Sequence, residues 1–298
     1  MSATIIDGKR IAEKIKEMAR EKLLILCEEG LKPTLSVIIV GDDPASHVYV
    51  RQKENACRSV SLESNIVRLP NDCMQSQLEQ TIISQVLDDD VVGVLVQLPL
   101  PKHLDANAAL AHIPTYKDVD GFSHINMGHL FRGEKAKHVA CTPAGIMFAL
   151  KESGVDLAGK HAVVVGRSNT VGKPLAALLL EQNSTVTVCH SKTKNLADIT
   201  KQADVLIAAV GKPKLITADM VKNGAVVVDV GINRVDGKLV GDVDFDAVNE
   251  VASMITPVPG GVGPLTVAQL MLNSANAAWN QRELLRLARA ERKVRDST

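Results

Sequence analysis

HAVVVGRSNTVGKPLAALLLEQ, residues 161–182, is the stretch that decides the fold. Ala162 to Val165 form a short apolar run that stops at Gly166. A turn framed by Gly166 and Gly172 follows, and an apolar helical segment opens at Gly172 and Lys173. Strand, glycine turn and helix in that order make the phosphate-binding corner of a dinucleotide fold, because helix-opening amides and the helix dipole both favour an anion there. The usual pattern is G-x-G-x-x-G, and here Ser168 stands in the place of the middle glycine.

The next strand refines the ligand. STVTVCHSKT, residues 184–193, completes a β-α-β unit of about 30 residues. In an NAD-binding fold an acidic residue at this strand end bonds the adenosine ribose hydroxyls. This strand ends instead in Cys189, His190, Ser191 and Lys192, without a carboxylate. A carboxylate would repel a 2′-phosphate, whereas hydroxyl and cationic groups accept one. Arg167, inside the glycine turn, is a second candidate for that phosphate. The residues favour NADP over NAD.

Strands and helices alternate along nearly all of the chain, which predicts an α/β fold with a largely parallel sheet. TLSVIIVG (34–41) reads as a buried strand, and Asp43 and Pro44 open the helix after it. NIVRLP is a second strand, MQSQLEQTIISQVLDD a helix, and VVGVLVQLPLP a third strand that runs into prolines. A polar stretch, 121–139, leads to a helix that starts at Thr142-Pro143 and stops at Gly154. Beyond it, strands at 161–166, 185–189, 204–211 and 225–231 alternate with helices. Asp236-Gly237 suits a hairpin turn, and residues 271–293 read as one long final helix. Two domains are expected: residues 1–140, completed by the C-terminal helix 275–298, and residues 141–274, a Rossmann-like doubly wound parallel sheet. The active site is expected in the cleft between them.

Composition narrows the function. The 298 residues carry 34 Lys plus Arg against 34 Asp plus Glu, so no overall field favours nucleic acid or an anionic membrane. Aromatic residues make up only 2%, too few for a base-stacking surface. Five cysteines without a C-x-x-C pair fit a reducing cytoplasm better than a disulfide framework or a zinc site. No apolar run is long enough to span a bilayer, and the acid-bearing amphipathic N-terminus is unlike a signal or transit peptide. The eight histidines show no metal-ligand pairing, so no metal is expected.

Four places carry candidate chemistry. Tyr49 and Lys53 lie four apart on one helix and share a face. That helix starts beyond the end of strand 34–41, on the edge where open α/β sheets bind ligands. Val96-Gln97-Leu98 ends a second strand on the same edge, and its amide is suited to orienting a ligand or the Lys53 ammonium. KDVDGF (117–122) holds Asp118 and Asp120 before a glycine. It reads as a turn, or as a carboxylate that accepts two hydrogen bonds from a flat heterocycle. PVPGGVGPLT (257–266) is a rigid loop with free backbone amides that runs into a helix near Thr266. A lysine beside Gln and Asp, with a nicotinamide site, points to hydride transfer joined to proton or water chemistry, since a desolvated lysine can serve as a general base.

YVRQK (49–53), VQLPLP (96–101), DVDGF (118–122), CTPAGI (141–146), GRSNTVGKP (166–174), CHSKT (189–193) and PGGVGPLT (259–266) together resemble the bifunctional methylenetetrahydrofolate dehydrogenase/methenyltetrahydrofolate cyclohydrolases. The resemblance spans essentially the whole chain and departs from the family at Asn55 and Leu265. It implies NADP-dependent oxidation of 5,10-methylenetetrahydrofolate and hydrolysis of the methenyl product to 10-formyltetrahydrofolate, in a homodimer joined through the nucleotide domains. It implies that Lys53 is the catalytic lysine, with Gln97 bonded to it, Tyr49 against the folate rings and Asp120 on the pterin. Val96, Leu98, Pro259, Gly260 and Gly261 are the further substrate candidates. Gly166, Arg167, Ser168, Gly172, Ser191, Ile232 and Thr266 are the cofactor candidates. The alternatives are a dehydrogenase of another small metabolite, which would not need Lys53 and Gln97, and a non-catalytic nucleotide sensor, which would not need Tyr49, Lys53, Gln97 and Asp120.

Overall fold

The computed structural model of the chain describes residues 2–42, 44–287 and 290, with the side chains of residues 44–49 outside that description. Asp43, expected as a helix N-cap, residues 288, 289 and 291–293 of the expected final helix, and residues 294–298 of the segment expected to complete the first domain also lie outside the described residues.

The elements run β1 (Thr4–Ile5), α1 (Gly8–Glu28), β2 (Thr34–Val40), α2 (Pro44–Ser59), β3 (Glu63–Leu69), α3 (Gln75–Leu87), β4 (Val91–Val96), α4 (Ala106–Leu110), α5 (His124–Phe131) and α6 (Cys141–Glu152). They continue as β5 (His161–Val165), α7 (Gly172–Glu181), β6 (Thr185–Cys189), α8 (Leu196–Thr200), β7 (Val205–Ala208), β8 (Val226–Asp229), β9 (Asn233–Val235), β10 (Lys238–Val240), α9 (Phe245–Asn249), β11 (Met254–Ile255) and α10 (Val262–Asn280). The chain divides into two compact units. One comprises Met1–Glu13, His129–Lys135 and Ala140–Gln269; the other comprises Lys14–Gly128, Ala136–Val139 and Leu270–Thr298.

The second of these units holds a parallel sheet in the order β3-β2-β4. Ile38, Val40, Val94 and Val96 pack with Leu78 and Ile82 of α3, and β2 and β4, buried along nearly their whole length, read as near-continuous apolar runs, whereas β3 (ESNIVRL) does not. The segment after Pro114 is strapped along β4, where Val94 N donates to Lys117 O at 2.9 Å. Gly93 is required there, because a Cβ on it would fall 2.5 Å from a Val119 methyl. Two side chains at the C-terminal end of the sequence fix the strap. Asn273 Nδ2 donates to Val119 O at 2.8 Å, and Gln281 Nε2 donates to Val92 O at 2.9 Å and Tyr116 O at 3.3 Å.

The other unit carries a six-stranded parallel sheet in the order β1-β11-β8-β7-β5-β6. From β5 the chain winds outward to β6, then crosses back to β7 on the other side of β5. Such a reversal is the point where open α/β sheets bind ligands, outside the carboxyl ends of the strands. The backbone is crowded there. A Cβ on Gly166 (φ 134°) would fall 2.2 Å from Ala209 O, and one on Gly172 would fall 2.1 Å from Gly166 O. The two glycines are needed for this approach, whatever the identity of the residue between them.

The structure departs from the sequence reading in four places. The residues after β7 were expected to form a helix but make only a single 3-10 turn, Ala218–Met220. Pro213 and the left-handed Gly211 (φ 64°) and Lys214 (φ 51°) interrupt the segment before it. β1, expected with the first domain, pairs instead with β11 in the six-stranded sheet; each has two residues, too few to show a period. α10 starts at Val262 inside the expected loop, because Pro264 falls in its first turn, where a missing N–H costs nothing. The helix also does not run on unbroken: a turn at Gln281 separates it from a further helical stretch, 282–287. Asp236 (φ 50°) and Gly237 (φ 77°) do form the hairpin turn between β9 and β10.

The crowding at the β5–β7 crossing has a measurable consequence. Gly172→Ala forces a methyl into the Gly166 carbonyl and is expected to cost about 1–3 kcal/mol of stability, read as a lower unfolding midpoint in urea.

Candidate active site

Two elements of the three-stranded unit meet at a lysine. Gln97 directly follows β4, and its N–H donates to Ile38 O at 2.8 Å, which extends the ladder one step past the strand. α2 leaves the end of β2 and carries Lys53 in its third turn. Lys53 Nζ donates to Gln97 Oε1 at 2.9 Å, while Gln97 Nε2 donates to Leu98 O at 2.8 Å. The amide is thereby held with its oxygen toward the lysine. A neutral amide satisfies the lysine nitrogen without adding the counter-charge that would lock it as an ammonium. One turn further along α2, Cys57 is fully buried, and desolvation pushes its thiol up to about 12 against the lowering pull of Lys53. That thiol is therefore not a competing nucleophile. Tyr49 has its backbone in α2, one turn before Lys53; its side chain lies outside the described residues.

The two aspartates of KDVDGF separate. Asp118 is buried at 3% exposure and accepts from Phe122 N at 3.0 Å, Ser123 N at 2.8 Å and Asn126 Nδ2 at 2.8 Å. It is the turn-forming carboxylate. Asp120 is half-buried, between the pinned Val119 and the left-handed Gly121 (φ 72°). Around them the loop is braced by buried polar groups that the sequence reading missed. Asn126 also donates to Thr115 O at 3.2 Å, and the ring Nε2 of His138 bonds Tyr116 O at 3.3 Å. Burial pushes the His138 imidazole below its ordinary value. Lys117 is nearly buried, and its ammonium donates to Val86 O at 2.7 Å and Asp88 O at 2.9 Å at the end of α3. The available signal was polar residues inside apolar helical stretches, such as Asn273 and Gln281 in MLNSANAAWNQ.

Of the other substrate candidates, Val96 is 2% exposed and its side chain belongs to the core, so β4 offers Gln97 and the half-buried Leu98 at its end. Pro259, Gly260 and Gly261 lie in the six-stranded unit, backbone to backbone with the start of α1. Lys9 N donates to Gly260 O at 3.2 Å, and a Cβ on Gly8 would fall 1.8 Å from Gly261 O.

The cofactor candidates gather at the carboxyl ends of the six-stranded sheet. Gly166 N donates to Cys189 O at 2.9 Å, which sets the glycine turn beside the end of β6. Arg167, Ser168 and Ser191 are exposed there. Ser168 Oγ accepts from Val171 N at 3.1 Å and Gly172 N at 3.3 Å. The serine thus occupies two of the helix-opening amides that the sequence reading had left free. Thr193 Oγ1 accepts from His190 N at 2.9 Å and shapes the turn that presents Ser191. Ile232, 49% exposed, follows β8, and Thr266 shares a hydroxyl hydrogen bond of 2.8 Å with Thr142. The absence of a carboxylate at the end of β6 fits a dinucleotide that carries a 2′-phosphate.

Family models decide the class. Residues 6–120 match the catalytic domain, and residues 140–282 the NAD(P)-binding domain, of tetrahydrofolate dehydrogenase/cyclohydrolase. The chain belongs to this family. A relative described as a bifunctional protein FolD, from Exiguobacterium sibiricum, is 53% identical over 93% of this chain and 99% of its own. The crystal structure of the bifunctional FolD from Campylobacter jejuni superposes with a TM-score of 0.92 at 48% identity, covering 94% of this chain and all of that one. The Trypanosoma brucei enzyme, solved with NADP and an inhibitor, gives a TM-score of 0.90 at 38% identity, over 94% and 98% of the two chains. Of the two departures from the family pattern, Asn55 is exposed and Leu265 is fully buried against Gly145. Among the described residues, no helix is long and apolar enough to cross a membrane.

The braced loop is open to test. Asp118→Asn replaces an acceptor-only group by one that turns an N–H toward donors. It is expected to cost about 2–3 kcal/mol in denaturant unfolding and to raise KM for the folate while the affinity for NADP+ is kept.

Proposed function

We propose that this protein oxidises 5,10-methylenetetrahydrofolate to the 5,10-methenyl cation with NADP+ and hydrolyses that cation to 10-formyltetrahydrofolate. The observation that carries the hydrolytic half is the Lys53–Gln97 contact at 2.9 Å. The methenyl carbon is electron-poor and invites water, so the step lacks only a base. Lys53, in its neutral form, takes a proton from the attacking water as the C–O bond forms, and gives it to N5 as the bond from that carbon to N5 breaks, which leaves the formyl group on N10. A permanent ammonium beside the substrate cation would raise the barrier. Gln97 aims the lysine nitrogen and leaves its charge state free to change.

Asp120 accepts hydrogen bonds from the pterin amino and ring N–H groups, and Tyr49 lies against the rings. Leu98 contributes to the substrate pocket, with Val96 supporting from the core, and Pro259, Gly260 and Gly261 are the remaining substrate candidates. When bound, NADP+ supplies the hydride acceptor. Gly166, Ser168 and Gly172 form the turn that receives its phosphates, with Ile232 and Thr266 along the same edge. Arg167 and Ser191 select it by bonding the 2′-phosphate, which a carboxylate at the end of β6 would repel. The reading extends to a homodimer joined through the nucleotide domains and to a reducing, cytoplasmic setting in keeping with five free cysteines. Light scattering is expected to give the mass of two 31.9 kDa chains.

Absorbance tests both reactions in one cuvette. NADP+ and methylenetetrahydrofolate should give a rise in NADPH, followed by accelerated decay of the methenyl chromophore. No rise rejects the dehydrogenase, and a rise without enzyme-dependent decay rejects the cyclohydrolase. Lys53→Met is expected to abolish hydrolysis while folate still binds in equilibrium titration. Arg167→Ala is expected to erode the preference for NADP+ over NAD+ in kcat/KM by about tenfold or more, the scale of one charge-assisted hydrogen bond; an unaltered preference removes Arg167 from the selection.

A further inference from the structure

The six-stranded unit contains two buried carboxylates with no role in the chemistry above. Asp229 ends β8 at 3% exposure, and Asp242, just past β10, is fully buried. Asp242 accepts four hydrogen bonds. Oδ2 takes Val210 N at 2.6 Å and Gly211 N at 3.0 Å; Oδ1 takes Lys212 N at 2.9 Å and Asn233 Nδ2 at 2.9 Å. Asp229 stands behind it and accepts Gly231 N, Asp242 N and Val243 N, each at 2.9 Å. No side chain fits between them. A Cβ on Gly231 would fall 2.4 Å from the Asp242 carboxyl carbon, and one on Gly241 would fall 1.8 Å from Asp229 Oδ2.

This clasp is costly. Burial pushes Asp229 up to about 6 against the pull of its three amides, and the nearby Asp242 charge adds to the rise. Two adjacent carboxylates neutralised mainly by amides are a poor way to stabilise a core. Their geometry shows what they hold. The amides of residues 210–212 belong to the loop after β7, and Asn233 opens β9, directly beyond the loop (230–232) that follows β8. Both segments leave the carboxyl edge of the sheet, and the first abuts the glycine turn through Gly166 and Ala209 O.

The fold assigns the halves of a dinucleotide to the two sides of that turn. The pyrophosphate sits at the turn and the adenosine at the end of the next strand, here β6. The nicotinamide half then falls over β7 and β8. We propose that Asp242, backed by Asp229, is a positioning residue that sets the loops after β7 and β8 to receive the nicotinamide half of the cofactor. This rests on the reading of the protein as an NADP-dependent dehydrogenase. Aspartate is suited to the task because all four partners are donors, and an acceptor-only group satisfies them together.

The test is steady-state and binding analysis of Asp242→Asn and Asn233→Ala. Hydrolysis of preformed methenyltetrahydrofolate, which consumes no cofactor, reports in the same samples whether the chain is folded. Asp242→Asn is expected to raise KM and Kd for NADP+ about tenfold, with a smaller change in KM for the folate. Asn233→Ala, which leaves the three backbone amides on Asp242, is expected to raise the same constants by a smaller factor. If Asp242→Asn does not fold, Asn233→Ala decides alone. NADP+ constants within twofold of the parent in the folded variants overturn the assignment, as does an equal rise for NADP+ and folate. Failure of the parent protein to reduce NADP+ would instead remove the underlying dehydrogenase reading, so the two failures are distinguishable.

Discussion

At the β5–β7 crossing, three stretches of main chain lie too close for any side chain. Gly166 faces the Ala209 carbonyl, and Gly172 faces the Gly166 carbonyl. Everything proposed for the cofactor depends on that crowding. It brings the first residue of α7 back over the end of β5, and it leaves the loops after β5, β6 and β7 side by side on one edge. The middle residue of the turn is under no such constraint, which is why a serine is tolerated where the dinucleotide pattern has a glycine. Ser168 uses that freedom to cap Val171 and Gly172. Fewer amides are therefore left for an anion at this corner than at an uncapped helix end, in keeping with the proposed selection of the cofactor by the exposed side chains of Arg167 and Ser191.

A recurring device holds loops in place elsewhere. Asp118, Asp229 and Asp242 are all buried, and all accept backbone amides. Loops carry unpaired amides that sheet and helix would otherwise satisfy, so a buried loop needs an acceptor from a side chain. A carboxylate serves up to four donors at once and offers none in return. In each case the residue expected to meet a ligand is a neighbour of the braced segment: Asp120 after Asp118, and Ile232 between Asp229 and Asp242. Burial of charge is the cost of presenting such neighbours on irregular chain with the precision of a strand.

The main strands and the glycine corner were legible because each rests on a local signal: β-branched runs, Gly spacing, an N-terminal proline, Asp-Gly at the hairpin. β1 and β11 were not, since two residues carry no period and their pairing is set across the length of the chain. The 3-10 turn at Ala218–Met220 was missed because Pro213 and a left-handed Lys214 override an otherwise acceptable helical stretch. At the site, Lys53 and Gln97 were legible as an odd amide ending a buried strand and a lysine on the facing helix. The turn-forming role of Asp118 was not. Two carboxylates two residues apart look alike until Asn126, Phe122 and Ser123 are seen to donate to Asp118.

The partner chosen for Lys53 is the most consequential detail of the site. A glutamate at position 97 would be nearly isosteric and would bond the lysine more strongly, but it would hold the proton on the nitrogen. A leucine would leave the nitrogen free to turn away. The glutamine lies between these extremes. Its oxygen accepts from either an amine or an ammonium, so the hydrogen bond survives proton transfer in both directions. Its own nitrogen is committed to Leu98 O, which prevents the amide from turning a donor toward the lysine. The role proposed for Lys53, a base that gains and gives back a proton within each turnover, calls for a partner indifferent to its charge and firm about its direction, and a side-chain amide anchored by its own strand meets both conditions.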